Sequence, residues 1–168
     1  MTFDDGYQNN LMNAAPILKK YHFGATCYLV AGKIGSYNQW DENKNIPRAM
    51  LMTTNEIKQW LDYGLDIGSH TIHHVDLHQV EEATAKLEII QSKKMIEDMF
   101  NIDIVDFCYP YGRYNAEIEN IVKDNYLTAT TINKGHCSYN SNLFELPRMH
   151  MTNKTGILSF LTKLLISK

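Results

Sequence analysis

Short β-prone runs alternate with longer helical stretches along almost the whole of this sequence, and that alternation restricts the fold more than any other feature. Leu11, Ala14, Ala15 and Leu18 recur at helical spacing between Asn10 and Tyr21, and Ala25 to Val30 then reads as a buried strand. The pattern repeats with a helix from Thr54 to Tyr63, a short strand from Leu65 to Gly68, a long helix from Glu81 to Phe100 and a strand from Ile104 to Tyr109. A helix at Ala116 to Asn125, strands at Leu127 to Thr131 and Phe144 to Met151, and a closing helix after Thr155 complete the series. About six strands and five helices in alternation predict an α/β fold on a parallel sheet. Gly32 to Met52 stands apart as a long aperiodic insertion, the kind of loop that in a compact domain often carries function.

Length and composition narrow the class further. The chain has 168 residues, 44% of them hydrophobic and 21% charged, which fits one domain over 1–168 with a full core and excludes wholesale disorder. A net charge of −3 without a basic block argues against a nucleic-acid partner. The apolar run Ile157 to Ile166 is interrupted by Ser159, Thr162 and Lys163 and is well short of the roughly 20 residues of a membrane span. Cys27, Cys108 and Cys137 are too few and too scattered for a disulfide framework or a cysteine zinc site. No signal peptide opens the chain.

Four of the seven histidines, His70, His73, His74 and His78, lie directly after the strand ending at Gly68. His70 and His74 have i, i+4 spacing, which on a helical turn projects both imidazoles from one face as a divalent-metal grip. His73 then points elsewhere and His78 is solvated. Thr2-Phe3-Asp4-Asp5-Gly6 supplies two adjacent carboxylates at the end of a first strand. Alone, Asp-Asp-Gly is a turn signal. Beside the histidines, one carboxylate completes a His-His-Asp site and its neighbour accepts a proton from water. Phe107-Cys108-Tyr109-Pro110-Tyr111-Gly112 ends the fourth strand and brings the Tyr111 N–H and ring to the same rim. All three motifs fall at strand C-termini, where parallel sheets and barrels collect their active sites.

In this order, T-F-D-D-G, G-S-H-T-x-x-H and Y-P-Y-G resemble the polysaccharide deacetylase family, the NodB-homology domains of carbohydrate esterase family 4, from Thr2 to about Met151. The resemblance implies a distorted, incomplete (β/α) barrel that removes acetyl groups from an N-acetylglucosamine polymer. It implies Asp5, His70 and His74 as ligands of a divalent metal, zinc first with cobalt or nickel as substitutes. It also implies Asp4 as general base and the Tyr111 N–H as part of an oxyanion hole, and an extracytoplasmic or cell-surface setting.

Two departures bear on catalysis. Many members carry Arg where this chain has Cys108, and many end in Leu-x-His where this chain has Leu146-Pro147-Arg148-Met149-His150. These forms are closer to the poly-N-acetylglucosamine deacetylases of biofilms. Period-two alternation over a final strand puts Arg148 and His150 on one face, Arg148 to orient Asp4 and His150 as substitute acid. So few residues precede Asp4 that the chain is expected to be part of a longer protein lacking an N-terminal segment. Two other functions fit: a carbohydrate-binding or scaffold domain that keeps the metal site without turnover, and an amidase for a non-sugar substrate.

Overall fold

The computed structural model describes residues 1–152 and 154–166. Five strands, β1 (Thr2–Phe3), β2 (Thr26–Leu29), β3 (Asp66–Ser69), β4 (Asp106–Cys108) and β5 (Thr128–Thr130), form one sheet in the order β1-β2-β3-β4-β5. Every neighbouring pair is parallel. Spatial order equals chain order, so the sheet winds in one direction and curls toward a barrel, whereas a doubly wound sheet reverses. The expected incomplete (β/α) barrel is the observed fold.

The helices follow local chemistry. α1 (Ala15–Lys20) is preceded by a π-helical turn, Asn10–Ala14, and the winding changes where Pro16 has no N–H to continue the ladder. α2 (Thr54–Asp62) opens on a capping box in which the Thr53 hydroxyl accepts from Glu56 N and the Glu56 carboxylate accepts from Thr53 N at 2.8 Å. It buries Ile57 and Trp60 under the sheet. α3 (Glu82–Phe100) buries Ala85, Ile89 and Ile96 and ends at Asn101, which takes the left-handed conformation at φ 54°. α4 (Ala116–Asn125) is capped by the Asn115 side chain, which accepts from Ile118 N at 2.9 Å. α5 (Ile157–Ile166) closes the described chain, and among the described residues no helix is long and apolar enough to cross a membrane.

Close contact in the sheet depends on Gly68 in β3. A Cβ there would stand 2.6 Å from a Tyr28 ring carbon and 2.8 Å from the Asp106 carbonyl oxygen. Larger residues cannot occupy this position without moving β2 or β4.

Two expectations are corrected. Phe144 to Met151 forms no strand: contact with β5 is reduced to one parallel bridge, Thr130 to Leu146, after which Pro147 has no N–H to extend the ladder. The chain instead leaves the sheet line, and Arg148 N donates to Asn133 O at 2.8 Å. Nor are His70 and His74 on a helical turn. Residues 70–74 form a loop in which Thr71 and His74 have φ of 67° and 59°. The loop is held by Ala31 N donating to Thr71 O and by Glu88 Oε2 accepting from Ile72 N and His73 N.

Candidate metal centre

Seven non-glycine residues among those described have positive φ, and four of them, Asp5, Thr71, His74 and Tyr111, sit at the carboxyl rim of the sheet. Backbone in this region is costly for most side chains, so its concentration at one rim marks a place where geometry is over-determined. Asp5 at φ 71° and Gly6 at φ 79° turn the chain sharply out of β1, which sends the adjacent carboxylates Asp4 and Asp5 to different partners.

Asp5 Oδ1 lies 3.5 Å from His70 Nε2 and 3.2 Å from His74 Nε2. One donor atom from each of these residues fits within a 4.8 Å cluster. Both histidines are buried, and Asp5 Oδ1 is a buried oxygen with no hydrogen-bond partner among the described residues. A buried carboxylate oxygen without a donor is costly, and a cation held between it and two imidazoles removes that cost. The Asp5, His70 and His74 set therefore fits a divalent ion. His70 Nδ1 lies 2.7 Å from the Cys108 carbonyl oxygen. Because a carbonyl only accepts, Nδ1 carries the proton and Nε2 keeps its lone pair toward Asp5. Burial holds the His74 pKa below the ordinary histidine value against the opposing pull of Asp5, so the neutral, ligating form is favoured.

Asp4, His70 and Cys108 form a second close group. It is a poorer cation site, because burial drives the Cys108 thiol pKa well up and keeps it protonated. Asp4 instead faces Arg148, whose Nη1 and Nη2 donate to Oδ1 at 2.6 Å and Oδ2 at 2.8 Å. The guanidinium is itself fixed, with Nε donating to Thr131 O at 2.8 Å and Nη1 to Thr2 Oγ1 at 3.1 Å. Burial raises the Asp4 pKa, but the Arg148 hydrogen bonds and charge outweigh it and leave the carboxyl below its ordinary value.

Tyr111 has φ 58° in the turn Pro110–Gly112, and its ring meets the His74 imidazole edge to face at 4.7 Å. His150 does not share the position of Arg148. It is exposed, and its carbonyl accepts from Lys163 Nζ at 2.5 Å. Without a strand beyond Leu146, period-two alternation no longer applies to these two residues. His73 turns away to Glu88 Oε1 at 2.6 Å, and His78 is exposed.

The insertion supplies residues that motif reading did not single out. Trp40 stacks on His74 at 4.5 Å with 22° between planes. Lys44 Nζ donates to Asp41 Oδ1 at 3.1 Å and to the Tyr111 hydroxyl at 3.3 Å. The only sequence signal for either was the aperiodicity of the loop that carries them.

A family profile described as Polysaccharide deacetylase matches residues 1–130. A Bacillus subtilis protein named as a polysaccharide deacetylase, YxkH, is 31% identical over 153 residues, covering 90% of this chain and 50% of that protein. A poly-β-1,6-N-acetyl-D-glucosamine N-deacetylase of Staphylococcus aureus is 26% identical over 159 residues, covering 89% of this chain and 52% of the relative. The chain thus spans about half the length of the curated relatives it matches. Among solved structures, the Streptococcus pyogenes deacetylase PplD in complex with acetate superposes with a TM-score of 0.83 at 27% identity, over 96% of this chain and 68% of that one. The polysaccharide deacetylase BC0361 of Bacillus cereus gives 0.81 at 25% identity, over 97% and 50%.

Proposed function

This chain belongs to the polysaccharide deacetylase family, and on that premise we propose that it hydrolyses N-acetyl groups of an N-acetylglucosamine polymer, using a divalent metal, zinc first, held by Asp5, His70 and His74. The observation that carries the proposal is the convergence of those three donor atoms beside a carboxylate, Asp4, clamped in both oxygens by Arg148.

A divalent ion held there supplies Lewis acidity, making water a nucleophile near neutral pH and polarising the amide carbonyl. Asp4 accepts a proton from the attacking water. Its two hydrogen bonds to Arg148 hold it in one orientation, and its lowered pKa keeps it ionised and ready. The Tyr111 N–H is assigned to the charge that gathers on the acetamide oxygen, where a well-aimed oxyanion-hole donor contributes about 3–4 kcal/mol. As the carbon–nitrogen bond breaks, Asp4 returns the proton to the departing amine, and acetate and a free glucosamine amine result. Asp4 here takes the acid step for which His150 was the expected substitute; His150 is exposed, and its carbonyl accepts from Lys163 Nζ.

Arg148 occupies the place at Asp4 that Cys108 cannot fill, which supports turnover over a scaffold that only binds glycan. The similarity to a poly-β-1,6-N-acetyl-D-glucosamine N-deacetylase supports a β-1,6-linked, cell-surface or biofilm substrate. Acetate release from β-1,6-linked, β-1,4-linked and peptidoglycan N-acetylglucosamine tests this. Release from the β-1,6 oligomer above the others is expected. Metal retained with no release from any of the three would favour the scaffold.

A further inference from the structure

The two imidazoles of the metal site are held by different means. His70 is oriented through Nδ1 by the Cys108 carbonyl, the usual arrangement in which a ligating histidine gives its second N–H to an oxygen. His74 has no such partner. Its Nδ1 is buried and makes no hydrogen bond among the described residues, although its Nε2 faces Asp5 at 3.2 Å. Apart from that approach to Asp5, nothing polar among the described residues sets the rotation of that ring about its Cβ–Cγ bond. Two aromatic faces do: Trp40 stacked at 4.5 Å and 22°, and Tyr111 edge to face at 4.7 Å and 77°.

We propose that Trp40 is a positioning residue for the metal site, its indole face setting the plane of the His74 ligand in place of the missing hydrogen bond. The proposal rests on the metal-site reading above. It also gives the aperiodic insertion a purpose, since Trp40 is presented from a segment tied down at both ends. Tyr37 bridges Met50 and Tyr7 bridges Leu51. Buried Asn38 accepts from Ala49 N at 2.7 Å and donates to Asp41 Oδ2 at 3.2 Å, so the loop reaches the site as a fixed wall. Stacking needs a flat ring, not merely an apolar volume.

The test is direct titration of the metal-free chain with Co²⁺ and with Zn²⁺, following stoichiometry, affinity and the Co²⁺ visible absorption bands. It compares the wild type, Trp40→Leu, Trp40→Phe and His74→Ala, with thermal unfolding of each metal-free protein alongside. Trp40→Leu keeps an apolar side chain at the position but removes the ring. It is expected to weaken metal binding about tenfold and to shift the Co²⁺ bands, with the unfolding temperature of the metal-free chain unchanged. Trp40→Phe keeps a flat face and is expected to recover most of the affinity and the wild-type bands. Wild-type affinity and bands in Trp40→Leu would overturn the proposal while leaving the metal site intact, as would equal losses in Leu and Phe. A wild-type chain that binds neither ion would overturn the metal-site reading itself.

Discussion

Arg148 is the residue on which the account of Asp4 depends. Its guanidinium is mostly withdrawn from solvent, with 18% of the side chain exposed, and makes two hydrogen bonds to one carboxylate while a third, to Thr131 O, prevents it from swinging away. An exposed ion pair would contribute little, whereas a bidentate pair fixed on a third side restricts the carboxylate to one orientation. Arg148→Ala is therefore expected to lower kcat about tenfold to a hundredfold with KM and bound metal nearly unchanged, and added guanidinium ion is expected to restore part of the rate. Steady-state kinetics with metal saturating measures this. A wild-type kcat would show that Asp4 needs no such partner. Cys108 and Arg148 were legible as a paired departure from the common pattern because both lie in recognisable motifs. Trp40 was not, because its contact with His74 joins segments far apart in sequence and aromatic stacking leaves no local spacing to read.

Elements are where sequence patterning read well and where it failed for identifiable reasons. α2 and α4 announce themselves through apolar periodicity and through the caps Thr53 and Asn115. The i, i+4 histidines do come together with Asp5, but not on the helical turn that the spacing predicts. The same spacing converges in a loop when Thr71 and His74 take positive φ, and the Glu88 carboxylate that holds this loop comes from α3, which no local pattern reveals. The expected final strand stops at its first contact, because Leu146 does bridge β5 but Pro147 ends the pairing at once. Gly68 is the element-scale position most open to test. With contacts of 2.6 and 2.8 Å awaiting any Cβ, Gly68→Ala is expected to destabilise the fold by about 1–3 kcal/mol, read as a lower denaturation midpoint. An unchanged midpoint would mean that β2, β3 and β4 are less tightly seated than described.

At the scale of the whole molecule, the half-barrel brings its motifs together because the sheet is wound in chain order, so β1, β3 and β4 all present their carboxyl ends to one rim. The edge strands β1 and β5 do not pair with each other. Arg148 links the two edges, bonding Thr2 Oγ1 and Asp4 on one side and Thr131 O on the other, so the same side chain that holds Asp4 also ties the open seam of the barrel. In the proposed mechanism neighbouring carboxylates divide the work at this rim, Asp5 holding the metal and Asp4 moving the proton. The most direct test measures zinc bound per chain and acetate released together, for the wild type, Asp4→Asn and Asp5→Ala, each stripped with chelator and reconstituted. One zinc and restored acetate release are expected for the wild type. One zinc with turnover reduced about 10²–10⁴-fold is expected for Asp4→Asn, and loss of both zinc and turnover for Asp5→Ala. Equal loss of zinc in the two variants, or acetate release from the wild type that survives complete removal of metal, would contradict that mechanism.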